Sequence, residues 1–251
     1  MNLLGIDIGG TGIKSAIVNT ESGELVTPRY RIPTPNPAEP DAVADVISEH
    51  AKHFNYSGPA GITFPGVVKR NIIQTAANIN EHWAGIDGKK LFSEHVGGET
   101  TIINDADAAG VAEMKFGAGK DQEGVVILLT LGTGIGSAIF SDGKLIPNTE
   151  FGHLKIRGKD AELRASERVR KEKGLSWKKW STRLTELFTQ LEILFSPDLF
   201  IIGGGVSKKG DKFIPYIAKA TKAPIVPAKM LNQAGIIGAA WMAEAGGYKA
   251  V

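Results

Sequence analysis

Asp7 stands at the end of an apolar run, directly before Gly9-Gly10-Thr11-Gly12 and Lys14. A carboxylate at a strand end can hold Mg²⁺, which takes hard oxygen ligands, beside a bound phosphate. Glycine lets backbone N–H groups approach an anion closely, while Thr11 adds a hydroxyl and Lys14 a positive charge. Alone, such a turn is equally well explained as a tight hairpin. It recurs, however: residues 126–140 read VILLTLGTGIGSAIF, with Thr130 in the place of Asp7 and a second turn at Gly132-Thr133-Gly134. Two such turns, half a chain apart, indicate two similar lobes that grip something between them, and phosphate is the first candidate.

Two further groups carry chemistry. Asn104-Asp105-Ala106-Asp107 lies where a strand gives way to a helix. Asp105 there is either a helix cap, worth about 1 kcal/mol, or a general base that takes a proton from a hydroxyl. If Asp107 is the cap, Asp105 is left for chemistry. Glu150 and His153, three apart with Gly152 between them, can offer two hydrogen-bond partners to a polyhydroxylated ligand, and Glu162 follows. No Gly-Lys-Ser/Thr element occurs, which excludes a P-loop, and neither glycine turn opens a helix, which disfavours a dinucleotide fold.

The elements that must position these residues follow from periodicity and turn signals. Strands are expected over residues 3–8, 13–18 and 24–32, then a stiff connector at Pro33, Pro35, Pro37 and Pro40, a helix over 41–54, and strands over 61–64 and 100–103. An alanine-rich helix to about Phe116 leads to a glycine hinge at Gly117, Gly119 and Gly124. The second half repeats the scheme: strands over 125–131 and 135–140, a helix carrying Leu184 to Phe195, a strand over 199–202 ending at Gly203-Gly204-Gly205, a helix over 209–220, a strand at 225–226 and a helix over 234–245. The expected fold class is α/β, with a mixed sheet in each of two lobes. The expected boundaries are residues 1–117 for a smaller N-terminal lobe and 118–233 for a larger C-terminal one, with the terminal helix, 234–251, packing back on the first.

Composition narrows the function classes. The 251 residues are 42% hydrophobic and 22% charged, the profile of a soluble globular chain. There is no cysteine, so disulfides and a thiol nucleophile are excluded, and five histidines without ligand spacing argue against structural zinc. No apolar stretch approaches a membrane span and no signal peptide is legible, so a cytoplasmic protein with no membrane partner is expected. Net charge is +2, yet the segment Leu163–Arg183 alone carries eight Lys and Arg against two Glu. That concentration reads either as the track of an anionic partner or as a solvated helix face.

Asp7-Ile-Gly-Gly-Thr-Gly-Ile-Lys14, Pro65-Gly66, Asn104-Asp105-Ala-Asp-Ala-Ala-Gly110, Leu131-Gly-Thr-Gly-Ile-Gly136, Glu150-x-Gly-His153 and Ile202-Gly-Gly-Gly-Val206 occur in the order seen in sugar kinases of the ROK family. The chain resembles that family over essentially its whole length. Residues 158–162 (GKDAE), 175–180 (LSWKKW) and 205–209 (GVSKK) are similar in particular to its polyphosphate glucokinases. The resemblance implies an actin-like, hexokinase-like (ribonuclease H-like) two-lobed fold and phosphorylation of glucose at its 6-hydroxyl from inorganic polyphosphate and ATP with Mg²⁺. It implies Asp105 as general base; Asn78, Asn104, Glu150, His153 and Glu162 as sugar contacts; and Asp7, Gly9, Gly10, Thr11, Gly12 and Lys14 as the first phosphate turn, with Asp7 toward the metal. Thr133 and Gly134 match the second turn, and Gly203, Gly204 and Gly205 lie beside adenosine in ATP-using relatives. The basic segment suits a long polyanion, with Arg164, Arg168, Lys171, Lys208 and Lys209 as its track. Many ROK kinases carry a cysteine-rich zinc motif after Glu-x-Gly-His. Arg157-Gly158-Lys159 stands in its place, so no zinc is expected and packing must brace the sugar site. ROK repressors have a DNA-binding segment ahead of the first hairpin; with Asp7 so close to the N-terminus, no nucleic-acid partner is expected. A homodimer is the family's habit. An ATP-only hexose kinase (glucokinase or glucomannokinase) and a non-catalytic sugar sensor remain as alternatives.

Overall fold

A computed structural model describes residues 1–76 and 79–248; Asn78, an expected sugar contact, lies outside them. Contacts divide the chain into two units, Met1–Ala112 with the stretch from Gln233 onward, and Glu113–Asn232.

In the first unit, β1 (Asn2–Gly9) and β2 (Gly12–Asn19) form an antiparallel hairpin closed at Gly9 and Gly12. The strand expected over 24–32 is two short pieces, β3 (Glu24–Leu25) and β4 (Tyr30–Ile32), both paired with β2. The ladder breaks because Thr27 offers its side-chain oxygen to the Ile17 N–H at 3.0 Å and Pro28 has no N–H to give. After α1 (Pro40–His53), β5 (Ala60–Phe64) pairs parallel with β1. A small hairpin, β6 (Val68–Lys69) and β7 (Ile72–Ile73), and α2 (Gly88–Val96) lead to β8 (Thr100–Asn104), parallel to β5. The sheet order is β3-β2-β1-β5-β8. Every residue of β5 is buried, as a parallel strand covered on both faces requires. Helix α3 (Asp105–Phe116) follows β8 without a linker.

The second unit repeats this plan. β9 (Val125–Leu131) and β10 (Ile135–Ser141) form the antiparallel hairpin and β11 (Lys144–Ile146) extends it. A 3₁₀ turn at Phe151–His153 precedes a two-stranded ribbon, β12 (Lys155–Ile156) and β13 (Lys159–Asp160). The basic segment forms α4 (Ala161–Ala165), α5 (Glu167–Glu172) and the start of α6 (Trp177–Phe195), which buries Trp180, Leu184, Leu187, Phe188 and Leu191. β14 (Leu199–Gly203) lies parallel to β9, and β15 (Ile225–Pro227) parallel to β14, giving the order β11-β10-β9-β14-β15. The helix expected over 209–220 is instead a 3₁₀ stretch, Gly205–Lys212, kinked at Lys209, and a four-residue α7 (Ile214–Ile217). Pro215 lacks the N–H that a continuous helix would donate to Asp211, so the chain restarts at α7, where proline is tolerated.

Helix α8 (Ala234–Glu244) belongs to the first unit and is almost entirely buried. Its backbone rides directly on the sheet: a methyl group on Gly5 would overlap the Ile236 carbonyl, one on Gly61 the Ala239 carbonyl, and one on Gly238 the Ala108 carbonyl. Only glycine permits that approach, and the methyl groups of alanine would force the helix off the sheet.

One buried polar pair in this unit is pH-sensitive. His50 on α1 is fully buried, with Nδ1 2.5 Å from Ser15 Oγ. Burial, reinforced by neighbouring His53, lowers its pKa to about 4. The folded protein therefore refuses a proton that the unfolded chain accepts near pH 6.5, and stability present above that pH is lost as pH falls toward 4. Denaturant unfolding is expected to show about 2 to 3 kcal/mol of lost stability across that window. His50→Gln should flatten this slope; an unchanged slope in the variant contradicts the assignment.

Candidate active site

Strands β1, β5 and β8 are parallel, and so are β9, β14 and β15, so each unit gathers their carboxyl ends along one sheet edge. Ligand-binding loops of open parallel sheets leave from such edges. In the first unit that edge carries Asp7 and the first glycine turn, Pro65-Gly66, and Asn104-Asp105. In the second it carries Gly132-Thr133-Gly134 and Gly203-Gly204-Gly205.

The two turns are unequal. Asp7 pairs across the hairpin with Lys14 and, on the other side, with Thr63. Its Oδ1 accepts from Thr63 Oγ1 at 2.9 Å and its Oδ2 from Lys14 Nζ at 3.3 Å. At the corresponding register Thr130 pairs with Gly136 and Gly203, so the second turn has no side-chain charge at that level. Arg31 lies over the first turn and donates to the Thr11 carbonyl at 2.7 Å, while Thr34 donates to the Gly9 carbonyl at 2.5 Å. A cavity of about 350 Å³ opens beside Gly10, walled by Thr34, Pro35, Asn36, Pro37, Ala38 and Ile79. The proline connector thus serves as a wall of the site.

Asn104, rather than Asp107, caps α3: its Oδ1 accepts from the Ala106 and Asp107 N–H groups at 2.9 and 3.1 Å. Its Nδ2 donates to the Gly66 carbonyl at 3.0 Å, and the residue is 5% exposed. The amide expected to bind sugar is therefore largely engaged in joining β8, α3 and the Pro65-Gly66 turn. Asp105 is the first residue of α3 and is exposed, whereas Asp107 is fully buried. Tyr248, a residue that the sequence did not single out, holds this corner. Its hydroxyl accepts from the Asn104 N–H at 3.0 Å and donates to Asp107 Oδ2 at 3.1 Å. Burial, and then the negative charge of Asp107, push the phenol well above its ordinary range.

In the second unit the buried Ser137 fixes the backbone on both sides of Glu150, donating to the Thr149 carbonyl at 2.7 Å and accepting from the Phe151 N–H at 2.9 Å. Glu150 and His153 come together, with Oε2 and Nε2 4.0 Å apart. Burial raises the Glu150 pKa; His153 opposes that shift, and nearby Glu162 adds to it. Glu162 reaches the second glycine turn, where its Oε2 accepts from the Ile135 N–H at 3.3 Å. Side-chain packing alone does not brace His153. Its Nδ1 lies 3.1 Å from Asp160 Oδ2, and Lys155 pairs with the other oxygen of Asp160.

The expected anion track divides. Arg164 faces Glu186 at 2.5 Å with its side chain 21% exposed, and Glu186 also takes Arg157 at 2.8 Å, so Arg164 is an internal ion pair rather than part of a track. Arg168, Lys171, Lys208 and Lys209 are exposed. Arg168 is joined to the second turn directly, its N–H donating to the Gly132 carbonyl at 3.1 Å. The Trp177 ring has the Arg170 guanidinium at 4.1 Å and Lys212 Nζ at 5.9 Å, which brings the segment after Gly205 beside the basic helices.

Asp7 suits Mg²⁺ as a hard oxygen donor, with lone pairs remaining on both oxygens beyond the two hydrogen bonds that it accepts. Among the described residues no group of three or more His, Asp or Glu gathers to hold a metal, so a cation at Asp7 would take its remaining ligands from phosphate oxygens and water. No helix among the described residues is long and apolar enough to cross a membrane.

Known proteins resemble this chain over most of its length. The ROK family profile matches residues 3–166. A polyphosphate glucokinase of Mycobacterium tuberculosis (strain CDC 1551 / Oshkosh) is 48% identical over 237 residues, spanning 94% of this chain and 89% of its own. An inorganic polyphosphate/ATP-glucomannokinase from Arthrobacter sp. strain KM matches with a TM-score of 0.92 at 46% identity, over 97% of this chain and 98% of that one. A ROK family glucokinase from Streptomyces griseus, solved with glucose and AMPPNP, matches with a TM-score of 0.84 at 25% identity, over 97% and 99% of the two chains.

Tyr248→Phe removes the acceptor of a buried backbone N–H and the donor to a buried carboxylate. Such a loss costs about 1 to 3 kcal/mol, which thermal or denaturant unfolding of the variant is expected to show. A variant as stable as the parent contradicts the Tyr248 contacts.

Proposed function

The chain belongs to the ROK family, and on that premise we propose that it transfers the terminal phosphoryl group of inorganic polyphosphate, and of ATP, to the 6-hydroxyl of glucose. The observation that carries the donor is the hydrogen bond from the Arg168 backbone N–H to the Gly132 carbonyl, which roots the exposed Arg168 side chain, and with it the basic surface, at the second phosphate turn. A nucleotide needs no such surface beyond its three phosphates; a polyphosphate chain does.

The chemistry follows from the side chains. Asp105 is exposed at the first position of α3 and accepts the proton of the sugar hydroxyl as that oxygen attacks phosphorus. Its orientation is set by neighbours that do not react: the Asn104 cap and the Tyr248 contacts. Glu150 and His153 receive sugar hydroxyls, with Glu162 between them and the second turn. Backbone N–H groups of the first turn, and those of Thr133 and Gly134 in the second, receive phosphate oxygens, and Lys14 and Arg31 place positive charge at the first turn. Mg²⁺ bound at Asp7 would neutralise charge on the donor's phosphates. We place the reaction in the cytoplasm, and a homodimer would cover Ile193, Leu194 and Phe195, which α6 leaves exposed.

Asp105→Asn is expected to lower kcat by roughly 100-fold or more with either donor, while glucose binding by calorimetry persists. A variant with parental turnover refutes the base assignment, and a parent that binds glucose yet forms no glucose 6-phosphate identifies a sensor instead. Replacing Arg168, Lys208 and Lys209 together with Ala should raise the polyphosphate KM, reduce its dependence on salt, and affect ATP far less. Equal losses for both donors would remove the track.

A further inference from the structure

His153 has an exposed ring whose two nitrogens meet different partners. Nδ1 lies 3.1 Å from Asp160 Oδ2 and Nε2 lies 4.0 Å from Glu150 Oε2. An ionised carboxylate can only accept, so Nδ1 carries the proton, and in the neutral ring Nε2 is left as an acceptor. Asp160 therefore selects both the tautomer and the plane of the imidazole.

Asp160 is itself held by local geometry. β12 and β13 are joined by Arg157-Gly158, both left-handed (φ 50° and 75°), as a two-residue hairpin turn requires. That turn sets Lys155 directly across from Asp160, and the ammonium pairs with the carboxylate oxygen that His153 does not use. Lys155, and then His153, hold the carboxyl below its ordinary pKa. Asp160 occupies the cap position of α4, yet its side chain makes no cap hydrogen bond, so helix capping does not explain the carboxylate.

We propose that Asp160, paired with Lys155, is a positioning residue that holds the His153 ring with Nε2 presented to a sugar hydroxyl. With Glu150 beside it, the held ring gives two neighbouring hydrogen-bonding groups, a pattern that recognises adjacent hydroxyls of a pyranose. Asp160 touches no substrate; it acts through His153. The role rests on the reading of Glu150 and His153 as the sugar site.

The test is a kinetic and binding comparison of Asp160→Ala, Asp160→Asn, His153→Ala and the Asp160→Ala/His153→Ala pair. Asp160→Ala is expected to raise the glucose KM about tenfold while the polyphosphate KM and the melting temperature stay at parental values. Asp160→Asn keeps an acceptor for Nδ1–H and should recover most of that loss. In the His153→Ala background, Asp160→Ala should add nothing. A glucose KM unchanged in Asp160→Ala, a loss in Asp160→Asn as large as in Asp160→Ala, or an undiminished second loss in the double variant each overturns the positioning role. If His153→Ala itself leaves glucose affinity unchanged, the sugar-site reading fails; if it weakens affinity while Asp160→Ala does not, only the role of Asp160 fails.

Discussion

Helix α8 lies on the first sheet at backbone distance, because Gly5, Gly61 and Gly238 offer no side chain where the two surfaces meet. Much of the chemistry of that unit depends on this contact. The start of α8 brings Gly235 against the Asp7 carboxylate, so that an added methyl there would approach Asp7 Oδ1 to 2.9 Å. Beyond its end, Tyr248 reaches Asn104 and Asp107 at the root of α3. One close-packed helix thereby supports the Asp7 carboxylate at one end and the corner formed by Asn104 and Asp107 at the other. Such packing has few alternative arrangements, since interiors are dense and respond to single methyl groups. A base must be held within a fraction of an ångström of its hydroxyl, and rigid packing of this kind meets that demand.

The repeated plan gives two similar edges with different equipment. At the level of Asp7 the first edge has Lys14 and Thr63, which orient the carboxylate and moderate its charge. At the level of Thr130 the second edge has Gly136 and Gly203, which bring no side-chain charge. A cation needs a hard anionic ligand on one side only; the donor's own oxygens serve on the other. A second carboxylate at Thr130 would add repulsion for a polyanion. Under the proposed function, the asymmetry would let one cation bind at Asp7 while the second edge adds no negative charge at the level of Thr130.

Sequence patterns made the hairpins, the buried parallel strands and the glycine edges legible, because each depends on residues close together in the chain. Asp7, Glu150 and His153 drew attention for the same reason, each standing close to a glycine, and Asp105 because it stands where a strand gives way to a helix. What stayed hidden depends on distance. Tyr248 meets Asn104 across 144 positions, and Glu186 meets Arg164 across 22; neither partner is marked by spacing. The loss of the long strand at Thr27-Pro28 and of the helix over 209–220 had local signals in Pro28 and Pro215, which apolar periodicity outweighed. Asp160 was the most readable omission. In Lys-Ile-Arg-Gly-Lys-Asp, residues 155–160, the Arg-Gly turn places the first lysine opposite the aspartate, and a carboxylate seven residues after His153 is within reach once that hairpin closes.

The basic segment shows why formal charge overstates what a surface presents. Its arginines and lysines count equally in sequence, yet they fall into two physical classes. Arg164 and Arg170 are less than a quarter exposed and answer Glu186 and Glu167 at 2.5 and 3.1 Å, with Arg170 also over Trp177. Arg183 donates to the Arg164 carbonyl at 3.0 Å. These three bind α4, α5 and α6 to one another, and a passing anion would have to break internal bonds to recruit them. Lys178, Lys179, Lys208 and Lys209 are exposed, and no ion pair among the described residues engages them. Lysine ammoniums on long stems are hydrated point charges, suited to the long polyanion of the proposed function. Rigid arginines would fix a polyphosphate in one register; lysines on long stems neutralise it without specifying one. The segment therefore folds through Arg164, Arg170 and Arg183, while the exposed Arg168, Lys178 and Lys179, with Lys208 and Lys209 from the stretch after Gly205, are left for the proposed polyphosphate track.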